Sequence, residues 1–265
     1  MRVEALEVGI EVVCAGSRAQ ELRRAVETAW DWCLSATHQA AAHRVVVVLG
    51  DDEATLAASA ADADLVGTDL AVLMDRLSPL VTGLAISEQA GRLTMFHACG
   101  LADVETGAAA VLFGPSGTGK TTLARTLGTS FVYLTDETAA VSADRLLVPY
   151  PKPLSILTEA GSPLKHQVSP GELGLGPIAP REYPLRALVQ LQRVPDHDGE
   201  VVVERLSTVD ALPQLVSQAS YTRQIDRPLR HLAALVHHVG GVRRVTYSES
   251  ADLEPVVRRL LAEAS

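Results

Sequence analysis

Apolar and β-branched residues gather at Val8 to Val13 and again in the valine run from Arg44 to Leu49, and the stretch between them, Ala19 to Leu34, has helical composition. This pattern predicts strand, helix, strand, the opening of an α/β arrangement. Asp51 and Asp52 then precede an alanine-rich stretch, and beyond Asp69 the residues Leu70, Leu73, Leu77, Leu80, Val81 and Leu84 recur at helical spacing. The stripe predicts a core-facing helix, with Pro79 as a candidate kink.

Leu93 to Cys99 and Ala108 to Phe113 are two further apolar segments separated by Asp103 to Gly107, a spacing that suggests a hairpin or neighbouring strands. The second runs directly into a glycine-rich stretch. Leu123 to Leu127 reads as helix, and Phe131 to Leu134 as a short strand ending at Thr135-Asp136-Glu137. From Tyr150 to Tyr183 proline and glycine abound and periodicity fades, which predicts a loop-bearing region. Strands are expected again at Leu185 to Leu191, Val201 to Leu206 and Val242 to Tyr247, and helices at Ala211 to Ser217, Leu229 to Val239 and Leu253 to Ala264. With no internal repeat and no clear linker, the simplest division is an N-terminal α/β extension over residues 1–90 and a catalytic domain over 91–265.

Composition narrows the function. The 265 residues are 47% hydrophobic and 21% charged, ordinary for a folded protein, and 32 acidic against 23 basic side chains give a net charge of -9. No concentrated basic run exists, so a nucleic-acid groove is not expected. Cys14, Cys33 and Cys99 are odd in number and widely spaced, supporting neither a disulfide framework nor a zinc site. The N-terminal residues include acids where a signal peptide needs apolar ones, and no run of about 18 uninterrupted apolar residues follows. A soluble protein of the reducing cytoplasm, with no membrane partner, is the expectation.

The chemistry centres on Gly114-Pro115-Ser116-Gly117-Thr118-Gly119-Lys120-Thr121, which fits GxxxxGK[ST] between a predicted strand and a predicted helix. Glycines there let successive amides converge on phosphate oxygens at the positive end of a helix. Lys120 is expected to reach the β and γ phosphates, the Thr121 hydroxyl to ligate Mg²⁺, and Thr122 to continue the cradle. Asp136 and Glu137 end the next strand, and in an open parallel sheet that end shares an edge with the loop. Asp136 is the candidate base for an incoming hydroxyl and Glu137 a helper of Mg²⁺, with Asp136 a further metal candidate; a solvated strand terminus is the plainer alternative. His97 lies near the end of a strand that neighbours the loop strand, and is a candidate hydrogen-bond donor to the transferred group. His237 and His238 lack companions at metal-ligand spacing and read as surface or packing residues. Lys152 and Lys165, in the proline-rich region, are either loop cations over the phosphates or solvated lysines. Arg223, Arg227 and Arg230 are spaced to share one side of a helix, with Pro228 interrupting it.

The stretch from Phe96 through Ser155, FHACGLADVETGAAAVLFGPSGTGKTTLARTLGTSFVYLTDETAAV and then VPYPKPLS, resembles the HPr kinase catalytic-domain family. It is most similar to HPr-kinase-like peptide kinases of bacterial gene clusters for ribosomal natural products of lasso-peptide type. The resemblance implies the P-loop kinase core shared with ATP-dependent phosphoenolpyruvate carboxykinases, ATP and Mg²⁺ as cofactors, and a site of upstream histidine, loop and following acid. Those positions match His97, Gly114 to Thr121, and Asp136 with Glu137. True HPr kinases carry an arginine directly before a downstream glycine-rich segment; Gly171-Glu172-Leu173-Gly174-Leu175-Gly176 has none in that place, so phosphorylase activity and the HPr substrate are not implied. A precursor peptide or other protein hydroxyl is the expected acceptor. Two alternatives stand beside it: a kinase of a free amino acid, sugar or nucleoside, and a nucleotide-gated binding protein. The sequence leaves the oligomeric state open.

Overall fold

The computed structural model describes residues 1–37, 39–52, 56, 60–157, 164–176, 178–195 and 200–263. Much of the alanine-rich stretch after Asp52 lies outside the described residues. The chain forms two compact units, one of Met1–Glu88 with Pro151–Leu173 and one of Gln89–Tyr150 with Gly174–Ser265.

The first unit opens with β1 (Arg2–Ala5) and β2 (Val8–Ala15), an antiparallel pair turned through Leu6 and Glu7, both at positive φ. Neither β1 nor this turn was evident from the pattern, because Leu-Glu is not a turn pair that favours left-handed backbone. The helix α1 (Ala19–Ala29) and strands β3 (His43–Leu49) and β4 (Leu65–Gly67) follow, with β2, β3 and β4 parallel. The expected helix over Ala19 to Leu34 thus ends at Ala29, and Asp31–Cys33 form a tighter turn of 3-10 helix. Helix α2 (Leu70–Glu88) is the one described helix long and apolar enough to cross a membrane. Its Leu73, Leu77, Val81 and Ala85 are buried, and it packs on the strands of this unit, as the core reading of the leucine stripe requires. Pro79 lies on the exposed side of α2, where water can serve the carbonyl that the missing N–H leaves free.

In the second unit the nine-residue β5 (Thr94–Ala102) is the organising strand. It runs antiparallel to β6 (Ala109–Phe113), in the register Ala98↔Phe113 to Ala102↔Ala109. After α3 (Lys120–Leu127) comes β7 (Val132–Thr135), which pairs antiparallel with the second half of β5, Gly100↔Thr135 to Ala102↔Val132. The chain reverses at Asp136 and Glu137 into β8 (Thr138–Val141), which pairs with the first half, His97↔Thr138 to Thr94↔Val141. β9 (Leu147–Val148) completes this edge.

The Pro151–Leu173 segment then returns to the first unit. It forms an antiparallel hairpin of β10 (Leu154–Leu157) and β11 (Lys165–Val168) where the composition predicted loops. Its strands are short and only partly buried, so they carry too little apolar alternation to be read from sequence.

Back in the second unit, β12 (Leu185–Arg193) joins β6 in parallel. β15 (Val242–Tyr247) joins β12 in parallel, and β13 (Val202–Arg205) closes that side antiparallel. A two-residue β14 (Ala219–Ser220) borders β5 at Met95 and Phe96. Helices α4 (Thr208–Gln218) and α5 (Pro228–His238) contribute Ala211, Leu215, Leu232, Leu235 and Val236 to one core with Val111, Phe113 and Leu188. α6 (Glu254–Glu263) packs on β6 and β12. Each predicted strand and helix of residues 185–263 is present within a few residues of its expected bounds.

Candidate functional site

β6 consists of five buried apolar residues and ends at Phe113, where the chain must leave the sheet. Gly114 to Gly119 make the turn, with Gly117 at φ 86 and Gly119 at φ 81, conformations that side chains with a Cβ adopt at a cost. Gly119 caps α3, whose Leu123, Ala124 and Leu127 are buried, so the helix is held with its first turn at the loop.

Hydrogen bonding inside the loop is lopsided. The Pro115 carbonyl accepts from the Thr118 amide (3.3 Å), the Thr118 hydroxyl (2.6 Å) and the Lys120 ammonium (3.2 Å). Lys120 also donates to the Gly114 carbonyl at 2.9 Å, and its side chain is buried under the loop. The Thr118 carbonyl is taken by the Tyr247 hydroxyl at 3.1 Å. By contrast, the amides of Ser116, Gly117, Gly119, Lys120, Thr121 and Thr122 donate to no acceptor among the described residues. Unpaired amide donors in series, at the positive end of a helix and beside an ammonium, are suited to receive an anion. Burial pushes the Lys120 pKa down, a cost that an anion in the loop would relieve.

The sheet around β5 explains how the other candidates reach this loop. The route differs from the expected open parallel sheet: β6 and β7 are separated by β5 and both run antiparallel to it. Two strands antiparallel to the same neighbour point the same way, so Phe113 and Thr135 finish at one end of the sheet, opposite Ala98 and Gly100. His97 is the residue of β5 just before Ala98, and it sits where the partners of β5 change. The loop departs on one edge and the Asp136-Glu137 reversal lies on the other, with the Ala98 amide donating to the Glu137 carbonyl at 3.0 Å.

His97 is solvent-accessible, yet its pKa is held below the ordinary histidine value by partial burial and by the charge of Lys120, with Glu137 and Asp136 opposing. Cys99, two residues on and therefore on the same face of β5, is buried. Its thiol is pushed well up by burial and by the Asp136 carboxylate, against the pull of Lys120. Both side chains feel the charges of Lys120 and Asp136, so loop lysine and strand-end acid lie within electrostatic range of this part of β5. Asp136 is buried and accepts from the Tyr133 hydroxyl at 3.1 Å; Glu137 is half-buried.

Thr121 and Thr122 stand in the first turn of α3, half-exposed and exposed. No group of three or more His, Cys, Asp or Glu side chains poised for a metal exists among the described residues. A cation here would be held by the Thr121 hydroxyl, one or two carboxylates, phosphate oxygens and water, the pattern magnesium favours.

Two of the other sequence candidates hydrogen-bond outside the loop. Lys152 is buried in the first unit and donates to the Pro153 carbonyl at 3.0 Å, and Lys165 opens the exposed β11. The three arginines do not share a helix face. Arg223 is in a 3-10 turn, Arg227 precedes α5 at φ 46, and only Arg230 is helical, because Pro228 begins the helix where its absent N–H has no partner to lose. His238 shares a 3.1 Å hydrogen bond with Arg145, and His237 is exposed.

Tyr133 and Tyr247 are the site residues that the sequence did not reveal. Tyr133 is three positions before Asp136, an offset that on a continuing strand would place the two on opposite faces. They meet because the strand ends at Thr135. Tyr247 reaches the loop from 129 residues away, with no local signal.

The fold and site define a mixed α/β protein with a strand, a glycine loop and a helix at the heart of one unit. No family model matches the chain, and no curated protein matches it. Among solved structures, it is similar to the Hpr(Ser) kinase/phosphatase from Coxiella burnetii, at 12% identity and a TM-score of 0.33 over 64% of this chain and 94% of that one. A likeness of that size carries no chemistry.

Proposed function

We propose that this chain is an ATP- and Mg²⁺-dependent phosphotransferase with a peptide or protein hydroxyl as acceptor. The observation that carries the reading is the set of six unpaired amides around Lys120, with His97 on the neighbouring β5 and Asp136 at the far edge of that strand. The triphosphate lies in the loop, with Ser116, Gly117 and Gly119 to Thr122 donating amides and Lys120 turning from Gly114 and Pro115 to the β and γ oxygens. Thr121, Asp136 and Glu137 are the residues that would hold Mg²⁺, which supplies charge neutralisation on the phosphate oxygens.

Asp136 accepts the acceptor hydroxyl's proton as the new O–P bond forms and the bond to the β,γ-bridging oxygen breaks, releasing ADP. The Tyr133 hydroxyl fixes the orientation of the carboxylate. Neutral His97 donates a hydrogen bond to the moving phosphoryl group. In this reading the machinery belongs to the unit of Gln89–Tyr150 with Gly174–Ser265, and the unit of Met1–Glu88 with Pro151–Leu173 is an α/β extension. The HPr-kinase-like sequence pattern from Phe96 to Ser155 favours a ribosomal natural-product precursor as acceptor, in the cytoplasm.

Incubation with Mg-ATP and the short peptides encoded beside the gene tests this. The expected product is a peptide heavier by one phosphate on a hydroxyl. Transfer to free amino acids, sugars or nucleosides but to no peptide would replace the acceptor class, and nucleotide binding without transfer to any hydroxyl would make the chain a switch.

A further inference from the structure

Tyr247 is the last residue of β15, a strand separated from β6 by β12, and it is fully buried. Its neighbour in register is Arg193, the last residue of β12, so its ring stands at the sheet end from which the glycine loop departs. The hydroxyl donates to the Thr118 carbonyl at 3.1 Å and to nothing else. Burial raises its pKa to about 12, so the proton remains in place for donation through the neutral range.

The Thr118–Gly119 peptide, like every peptide described here, is trans. In a trans peptide the C=O and the N–H point in opposite directions across one rigid plane. Holding the Thr118 oxygen toward Tyr247 therefore turns the Gly119 N–H the other way, into the loop, where it has no acceptor. Gly119 is also the residue whose φ of 81 admits many orientations that a residue with a Cβ would not sample. Apart from the Tyr247 bond, no hydrogen bond among the described residues restrains this plane.

We infer that Tyr247 is a positioning residue that fixes the Gly119 amide as a phosphate donor, and so sets affinity for the polyphosphate part of the nucleotide. The inference rests on the reading of the loop as a triphosphate cradle. Its signature is selective: losing the hydroxyl weakens polyphosphate binding and raises KM for ATP, while kcat at saturation stays close to wild type, because Tyr247 touches no reacting atom.

The test compares wild type, Tyr247→Phe and Tyr183→Phe by titration with Mg-tripolyphosphate and with Mg-ATP. Tyr183 is an equally buried tyrosine of the same unit, whose hydroxyl donates to the Ala179 carbonyl at 2.9 Å, and its variant controls for losing any one buried hydroxyl bond. Tyr247→Phe is expected to bind both ligands about 3- to 10-fold more weakly, the range for one hydrogen bond, and Tyr183→Phe to match wild type.

Equal affinity of Tyr247→Phe and wild type overturns the inference. So does a loss shared equally by Tyr183→Phe. Wild type that binds neither ligand instead sinks the cradle reading itself. If Tyr247→Phe does not fold, 3-fluorotyrosine at 247 keeps the ring and strengthens the donor; the Gly119 amide resonance must then shift, and an unmoved resonance overturns the inference.

Discussion

At the scale of single residues, His97, Lys120 and Asp136 stand in a relation that the order of the sequence foreshadowed and that the sheet makes spatial. The depressed pKa of His97 has a measurable sign. The unfolded chain binds this proton near pH 6.5, the folded chain only at lower pH. Between the two values the unfolded state holds more protons, so the contribution of His97 to stability is intact above pH 6.5 and is lost as pH falls through the folded value. A ring-proton titration by NMR is expected to place His97 below 6.5, and to move it upward when triphosphate brings negative charge; a midpoint at or above 6.5 in the free protein contradicts the partial burial of the ring together with the nearby charge of Lys120. Lys120→Met is expected to weaken Mg-ATP binding by roughly 10- to 150-fold, the range for a charged hydrogen bond, as read by calorimetry. The sequence could show these residues because each lies in or beside a local pattern. Tyr133 and Tyr247 were hidden, since one depends on where a strand stops and the other on a contact across 129 positions.

At the scale of elements, the strand, loop and helix from Ala109 to Leu127 formed as the pattern predicts, because a run of buried apolar residues, glycines and an amphipathic turn all agree locally. The parallel-sheet expectation holds over β6, β12 and β15 and fails at β5, which runs antiparallel to β6 and β7. The hairpin expected from the spacing of Leu93 to Cys99 and Ala108 to Phe113 is present as β5 and β6, but direction in a sheet is set by pairing partners, and the pairing of β7 with the other edge of β5 is announced by no spacing in the chain. The short β8 to β11 were likewise illegible, being too brief for alternation to register.

Two predictions belong to this scale. On adding Mg-ATP, the amides of Ser116, Gly117 and Gly119 to Thr122 should gain strong protection from hydrogen exchange; continued free exchange at saturating ligand is the opposing result. Gly117→Ala meets no atom within 4 Å, so its cost comes from φ alone, about 1–2 kcal/mol, seen as a lower denaturant midpoint. A neutral Gly117→Ala would show that the loop backbone is not held as described.

At the scale of the whole molecule, the chain alternates between its two units, leaving the first at Glu88, returning at Pro151 and leaving again at Leu173. Composition foretold a folded α/β protein of acidic balance, while the return of residues 151–173 to the first unit was written in no linker or charge shift. Both tryptophans, Trp30 and Trp32, belong to the first unit, and all the proposed triphosphate contacts belong to the second. Nucleotide at about 100 times its Kd is expected to stabilise the second unit by about 2.7 kcal/mol, visible as slower exchange of the β5 and β6 amides. Unchanged exchange there would place the ligand elsewhere.

The central claim is that the loop holds ATP for transfer to a hydroxyl with Asp136 as base. It is tested most directly by following γ-phosphate from labelled Mg-ATP to acceptor in wild type and Asp136→Asn, with ATP affinity measured in both. At saturating Mg-ATP, Asp136→Asn should transfer about 10²- to 10⁴-fold more slowly, whatever its loss of Mg-ATP affinity as a magnesium ligand; transfer at the wild-type rate by this variant would contradict the account.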